Sequence, residues 1–161
     1  MQSMDDLKRI KIFFDEGRKF DPRNIKLLMG ITGLYFIYND EIRIQYPFHK
    51  SRLIYIGMSE KKMNSIGKRL QGHLEGKSGN RGIVSYGKVN SLSFTYINFE
   101  MLKGTWSLRI EDLESYFILD FVKRYGVYPI CNNKSGYDIL QSELDNNLII
   151  DWKYFELLLK K

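Results

Sequence analysis

Cysteine and histidine are scarce in this chain, and the shortage excludes several classes of protein at once. Cys131 stands alone and cannot form an internal disulfide, and one cysteine with two histidines cannot supply the ligands of an ordinary structural zinc site. Long apolar runs are missing too. Nowhere do 18 apolar residues follow one another, and acidic Asp5 and Asp6 stand near the start where a secretory leader would need an apolar core. The expectation is a soluble, cytoplasmic protein with no membrane partner. Low-complexity tracts, internal repeats and linker-like stretches are also lacking, so the 161 residues are read as a single domain, 1–161, large enough to bury a core unaided.

Basic charge is present, and it is unevenly placed. The formal net charge is +6, and residues 61–90 alone carry seven basic groups against one acid, while every other stretch is close to neutral or acidic. That segment holds Lys61, Lys62, Lys68, Arg69, Lys77, Arg81 and Lys88. A polyanion is the natural partner of such a stripe, with a solvated lysine face as the ordinary alternative.

Periodicity divides the chain into elements. Leu7, Ile10, Phe13 and Phe14 fall at helical spacing and predict an amphipathic helix over 4–16, closed by Gly17 and Asp21-Pro22. Residues 33–38 and 53–57, rich in Ile, Tyr and Phe, read as strands, with a short strand or extended arm over 42–46. A helix follows over 65–75, then a turn-rich loop over 76–82, a third strand over 92–99, a long helix over 107–125 ended by Gly126, and a last helix over 147–160. The fold class expected is α/β (α+β): a small central antiparallel sheet of about three strands flanked by helices in three layers. The core would span 30–135, with helical extensions at 1–22 and 137–161.

Two short strings carry the chemistry. Gly33-Leu34-Tyr35 and Tyr55-Ile56-Gly57 each sit in an apolar run, and Arg69, His73, Glu114 and Asn132 follow in order. Arg69 and His73, four residues apart, share a helix face. Glu114 falls on the same helix side as Ile118 and Phe121, which turns its carboxylate toward a pocket. Any one of these residues alone would pass as packing or as surface.

Taken in order they resemble the GIY-YIG nuclease family. Arg69-Leu70-Gln71-Gly72-His73-Leu74 is similar to that family's arginine helix, and Pro129-Ile130-Cys131-Asn132 to its Pro-x-x-Asn ending. The likeness covers about the central hundred residues. It departs from the family's shorter members in the insertion at 36–54, which is similar to that of some restriction endonucleases of the family, in the long helix after Glu114, and in Met58 at a position more often polar. The resemblance implies a metal-dependent endonuclease that hydrolyses DNA phosphodiesters, of restriction or defence type. It implies Tyr35, Tyr55, Arg69, His73, Glu114 and Asn132 as catalytic residues, and Glu114 as the ligand of Mg²⁺, with Mn²⁺ as a substitute.

Within that frame each residue has a physical task. Arg69 presents paired donors to phosphate oxygens, and either Tyr35 or His73 accepts a proton from water, with Arg69 and a bound metal favouring the Tyr35 phenolate. Tyr55 orients water or phosphate, and the Asn132 amide, or Asn133 in its stead, orients Glu114 or a water. Lys61, Lys62, Lys68, Arg69, Lys77 and Arg81 would contact the nucleic-acid backbone. Alternative readings are a non-catalytic nucleic-acid-binding module of the same fold and an RNA-directed nuclease. Homo-oligomerisation has no signature in the sequence.

Overall fold

The structure, a computed structural model, describes residues 10–15, 17–102, 109–132 and 148–158. In chain order these form β1 (Ile10–Ile12), β2 (Arg18–Lys19), α1 (Pro22–Lys26), β3 (Gly33–Asn39), β4 (Ile44–Gln45), β5 (Lys50–Ser51) and β6 (Leu53–Ser59). Then come α2 (Ile66–Leu74), α3 (Arg81–Val89), β7 (Leu92–Asn98), α4 (Ile110–Tyr125) and β8 (Leu148–Ile150). A four-stranded antiparallel sheet in the order β2-β7-β3-β6 is the centre, with the pairs β1-β8 and β4-β5 beside it. The architecture is α+β, with one more strand in the main sheet than the three expected, because Arg18–Lys19 adds itself to the edge of β7. No helix among the described residues is long and apolar enough to cross a membrane.

The sheet is buried on both faces. Leu34, Phe36 and Tyr38 of β3 pack with Leu113, Phe117 and Phe121 of α4, whereas Tyr35 and Ile37 pack with Ile66 and Leu70 of α2 and Ile83 of α3. A strand so covered reads as an unbroken apolar run, as this one does. In β6 the alternation breaks: Ile37 faces Tyr55 but Tyr38 faces Leu53, so Ile54 is an extra, bulged residue. Leu53 and Ile56 therefore belong to the α4 side, and Ile54 and Tyr55 both to the α2 side. Regular pairing from Gly57 puts Tyr55 on the face that carries Tyr35, and the bulge adds Ile54 to it.

Helix ends are fixed by their own side chains. Asp21, Ser65 and Asn80 accept from the first-turn amides of α1, α2 and α3, and Gly126 closes α4 in the left-handed conformation with φ 95°. The helix α3 lies partly in the stretch expected to be loop, because Gly82 and Gly87 disguise a face formed by Ile83, Val84 and Tyr86. The long helix begins at Ile110, and residues 107 and 108 of its expected start lie outside the described residues. The inserted segment folds as the β4-β5 hairpin, anchored where the buried Tyr46 hydroxyl donates to the Leu53 carbonyl and accepts from the Ile130 amide.

Two expected helices are corrected. Residues 10–12 form a strand parallel to 148–150, and Trp152–Phe155 is a single 3-10 turn rather than part of a helix over 147–160. Residues 1–9, 16, 137–147 and 159–161 of the two expected extensions lie outside the described residues. The physical reason is alternation: Ile12 and Phe14 are buried while Lys11 and Phe13, the latter 66% exposed, face out, and Leu148 and Ile150 are buried around an exposed Ile149. Phe14 then meets Phe36 and Phe155 with ring centroids 4.8 and 4.6 Å apart. The C-terminal segment is held to the sheet by Arg52, whose amide donates to the Phe155 carbonyl and whose buried guanidinium donates to the Tyr154 carbonyl while lying over the Tyr38 ring.

Candidate active site

Tyr35 and Gly57 are cross-strand partners on β3 and β6, and that pairing explains the glycine. A Cβ at Gly57 would run into the Tyr35 ring and hydroxyl and into the Tyr55 ring. At the other motif, Gly33 has φ 149°, and a Cβ there would strike the Ile97 carbonyl of the neighbouring strand. Both glycines let aromatic rings and strands approach closely.

The Tyr35 side chain is 0% exposed and ends in a hydrogen-bonded chain. Its hydroxyl oxygen lies 2.9 Å from His73 Nε2 and 3.4 Å from Arg69 Nε. Arg69 can only donate, so the phenol oxygen accepts from it, while the direction of the Tyr35–His73 bond is set by which ring nitrogen of His73 carries the proton. The other ring nitrogen, Nδ1, is hydrogen-bonded to Ser78 Oγ at 2.7 Å. Burial, reinforced by the Arg69 charge, lowers the His73 pKa to about 4, so the ring is neutral at pH 7. The rings of Tyr35, Tyr55 and His73 form one cluster, with centroids 5.0–5.9 Å apart.

Tyr55, Ile56, Met58, Arg69, His73, Ser78, Gly79, Asn80, Glu114 and Asn132 line a cavity of about 320 Å³. Tyr35 lies behind this wall, so Tyr55 is the motif phenol that reaches the space. The Tyr35 pKa is raised by burial, then by Tyr55, with Arg69 pulling the other way. The Tyr55 pKa is raised by burial and by the Glu114 carboxylate, again against Arg69. Without a metal, loss of water outweighs the Arg69 cation at both phenols.

Arg69 is half-buried, and its charged form is held by the two phenols and Glu114 in spite of burial, which acts the other way. Its Nε is engaged by Tyr35, which orients the guanidinium along the cavity wall. Glu114 comes from α4 on the opposite side of the sheet edge. It is the only acidic residue of the cavity lining, and no group of three or more His, Cys, Asp and Glu among the described residues could hold a metal. One carboxylate beside a cation-balanced polar wall suits Mg²⁺, which keeps much of its water and completes its shell with substrate oxygens. Glu114 is the residue that would hold it.

Asn132 is bonded to the backbone of β6. Its Oδ1 accepts from the Ile56 amide at 3.0 Å and its Nδ2 donates to the Ile56 carbonyl at 2.9 Å. Together with the Cys131 amide, bonded to the Ile54 carbonyl, it covers the outer edge of β6 as another strand would. Asn132 thus lines the cavity but spends its amide on backbone, and the alternative, Asn133, lies outside the described residues.

Ser78 and Asn80 escaped the sequence reading, which saw only turn chemistry in Ser78-Gly79-Asn80. Asn80 caps α3 and donates to the Cys131 carbonyl, tying the loop of Asn132 to that of Ser78. Among the basic residues, Lys61 and Lys62 lie at the β6-to-α2 turn, Lys68 is exposed on α2, and Lys77 and Arg81 flank the cavity loop 78–80. Lys77 is paired with Glu75 at 3.1 Å, which tempers its charge. No family model, curated protein or solved structure matches the chain.

Proposed function

We propose that this cavity hydrolyses phosphodiester bonds in DNA with the aid of a divalent metal, and that the chain is a GIY-YIG-type endonuclease of the cytoplasm. One observation carries the reading: residues from 55 to 132, drawn from β6, α2, the 78–80 loop, α4 and the 129–132 loop, meet at a single cavity with Tyr35 directly behind it. Each brings a group that phosphoryl chemistry uses. The inserted hairpin and the restriction-type resemblance favour a restriction or defence role.

Bound Mg²⁺, or Mn²⁺ in its place, would supply positive charge to the phosphate oxygens and acidify a water. The protein's own residues supply the proton route and the second cation. As the water oxygen bonds to phosphorus, its proton passes to the phenol pair, and the Tyr35 O–H proton moves to Nε2 of His73 in the tautomer that carries its own proton on Nδ1, against Ser78. Arg69 faces the phosphate and balances charge gathering on its oxygens. The phosphorus bond to the leaving sugar oxygen breaks and that oxygen takes a proton from solvent, giving a phosphomonoester and a hydroxyl.

The test is purified protein with plasmid and with RNA, in Mg²⁺ and in EDTA. Nicked or linear plasmid is expected in Mg²⁺ alone, and Tyr35→Phe, which keeps the ring but cuts the route to His73, should be slower by about 10². Cutting of RNA but not plasmid would make it an RNA nuclease, and binding without cutting of either would make it a binding module.

A further inference from the structure

We infer that the turn joining β6 to α2 is a wedge that enters duplex DNA, with Met63 as the inserted side chain and Lys61, Lys62 and Lys68 as its phosphate contacts. The inference rests on the nuclease reading for its choice of DNA as the polyanion. Met63 is 88% exposed, the most exposed large apolar side chain among the described residues. It sits on the 3-10 turn Lys62–Asn64.

That turn cannot easily retract. The buried Ser59 hydroxyl faces the carbonyls of Lys61 and Asn64, at 3.3 and 2.5 Å, and the Asn64 amide donates to the Lys61 carbonyl. Immediately afterwards the buried Ser65 caps α2. Both roots of the turn are therefore tied into the core while its tip stands in water. The tip is also fixed relative to the cavity, since β6 brings in Tyr55 and Met58 on one side and α2 brings in Arg69 and His73 on the other.

The surroundings select the partner. Lys61, Lys62 and Lys68 are exposed and have no ion pair among the described residues; Glu60 is the one acid of the turn, and its charge is felt by Arg109. An apolar protein surface would have to desolvate three lysines to reach Met63. A double helix meets both demands, with phosphates for the lysines and an apolar slot between base pairs for an unbranched, polarisable side chain. Insertion beside the cavity would unstack one step and hold the backbone against Arg69.

The measurement is the linking number of a closed circular plasmid relaxed by a metal-independent topoisomerase in EDTA, with and without the protein. Wild type should leave the plasmid underwound after deproteinisation. Met63→Ala should bind duplex within about twofold of wild type with an unchanged salt slope, because the lysines remain, yet leave the linking number unaltered, and Met63→Leu should restore the shift. An equal shift from Met63→Ala, no shift from wild type, or no duplex binding would overturn the wedge. Cleavage assayed separately in Mg²⁺ keeps the two readings apart: unwinding without cleavage removes the nuclease alone, and cleavage without unwinding removes the wedge alone.

Discussion

His73 is where the chemistry of single residues is most exposed to test. Its Nε2 is hydrogen-bonded to the Tyr35 hydroxyl and its Nδ1 to Ser78 Oγ, and burial favours the neutral ring. Folding holds its pKa near 4, against the ordinary value of 6.5, through burial and the Arg69 charge. Between these two values the unfolded chain takes up a proton that the folded chain refuses, so His73 makes the protein less stable as pH falls from 6.5 toward 4. The full loss would be about 3 kcal/mol. Urea unfolding across that range should show it in wild type, and His73→Gln should lack that part of the slope; parallel pH profiles would contradict a buried neutral His73. The histidine itself was legible from its place four residues after Arg69. Its partner Ser78 was not, because a serine in a glycine-rich turn looks the same whether or not an imidazole lies above it.

At the scale of elements, legibility followed range. The strands β3, β6 and β7 and the helices α2 and α4 announce themselves through local apolar runs, caps and a terminal glycine. What depends on a distant partner stayed hidden. Ile10–Ile12 becomes a strand only because Leu148–Ile150 lies beside it, and the bulge that puts Ile54 on the same face as Tyr55 is a matter of register with β3. The amide of Asn132 belongs here too, since an asparagine after Pro-Ile-Cys reads as a turn until the bare edge of β6 is seen next to it. Asn132→Leu keeps the volume but strands the Ile56 N–H and C=O at that edge, and should cost about 1–3 kcal/mol in urea unfolding. Unchanged stability would mean that the loop does not close the sheet.

Across the whole molecule, the basic segment and the cavity are parts of one arrangement, because α2 and the connections on either side of it carry five of the seven basic residues of 61–90, and α2 and the second connection also line the cavity. Among the described residues the acid that lines the cavity is Glu114, contributed by α4, the helix packed on the sheet's other face. A carboxylate there raises the Tyr55 pKa and helps keep Arg69 charged, so it is strongly coupled to the groups assigned to the reaction. The helix face it shares with Ile118 and Phe121 turned it toward a pocket, and the ordered resemblance said which pocket. The central claim, that the cavity is a metal-assisted phosphodiester hydrolysis site, is tested most directly by plasmid cleavage and duplex binding for Glu114→Gln beside Glu111→Gln, which makes the same change of charge on an exposed position of the same helix. Glu114→Gln should abolish Mg²⁺-dependent cleavage while duplex binding persists or tightens, and Glu111→Gln should cut at the wild-type rate. Equal activity in both variants, or equal loss in both, would contradict it.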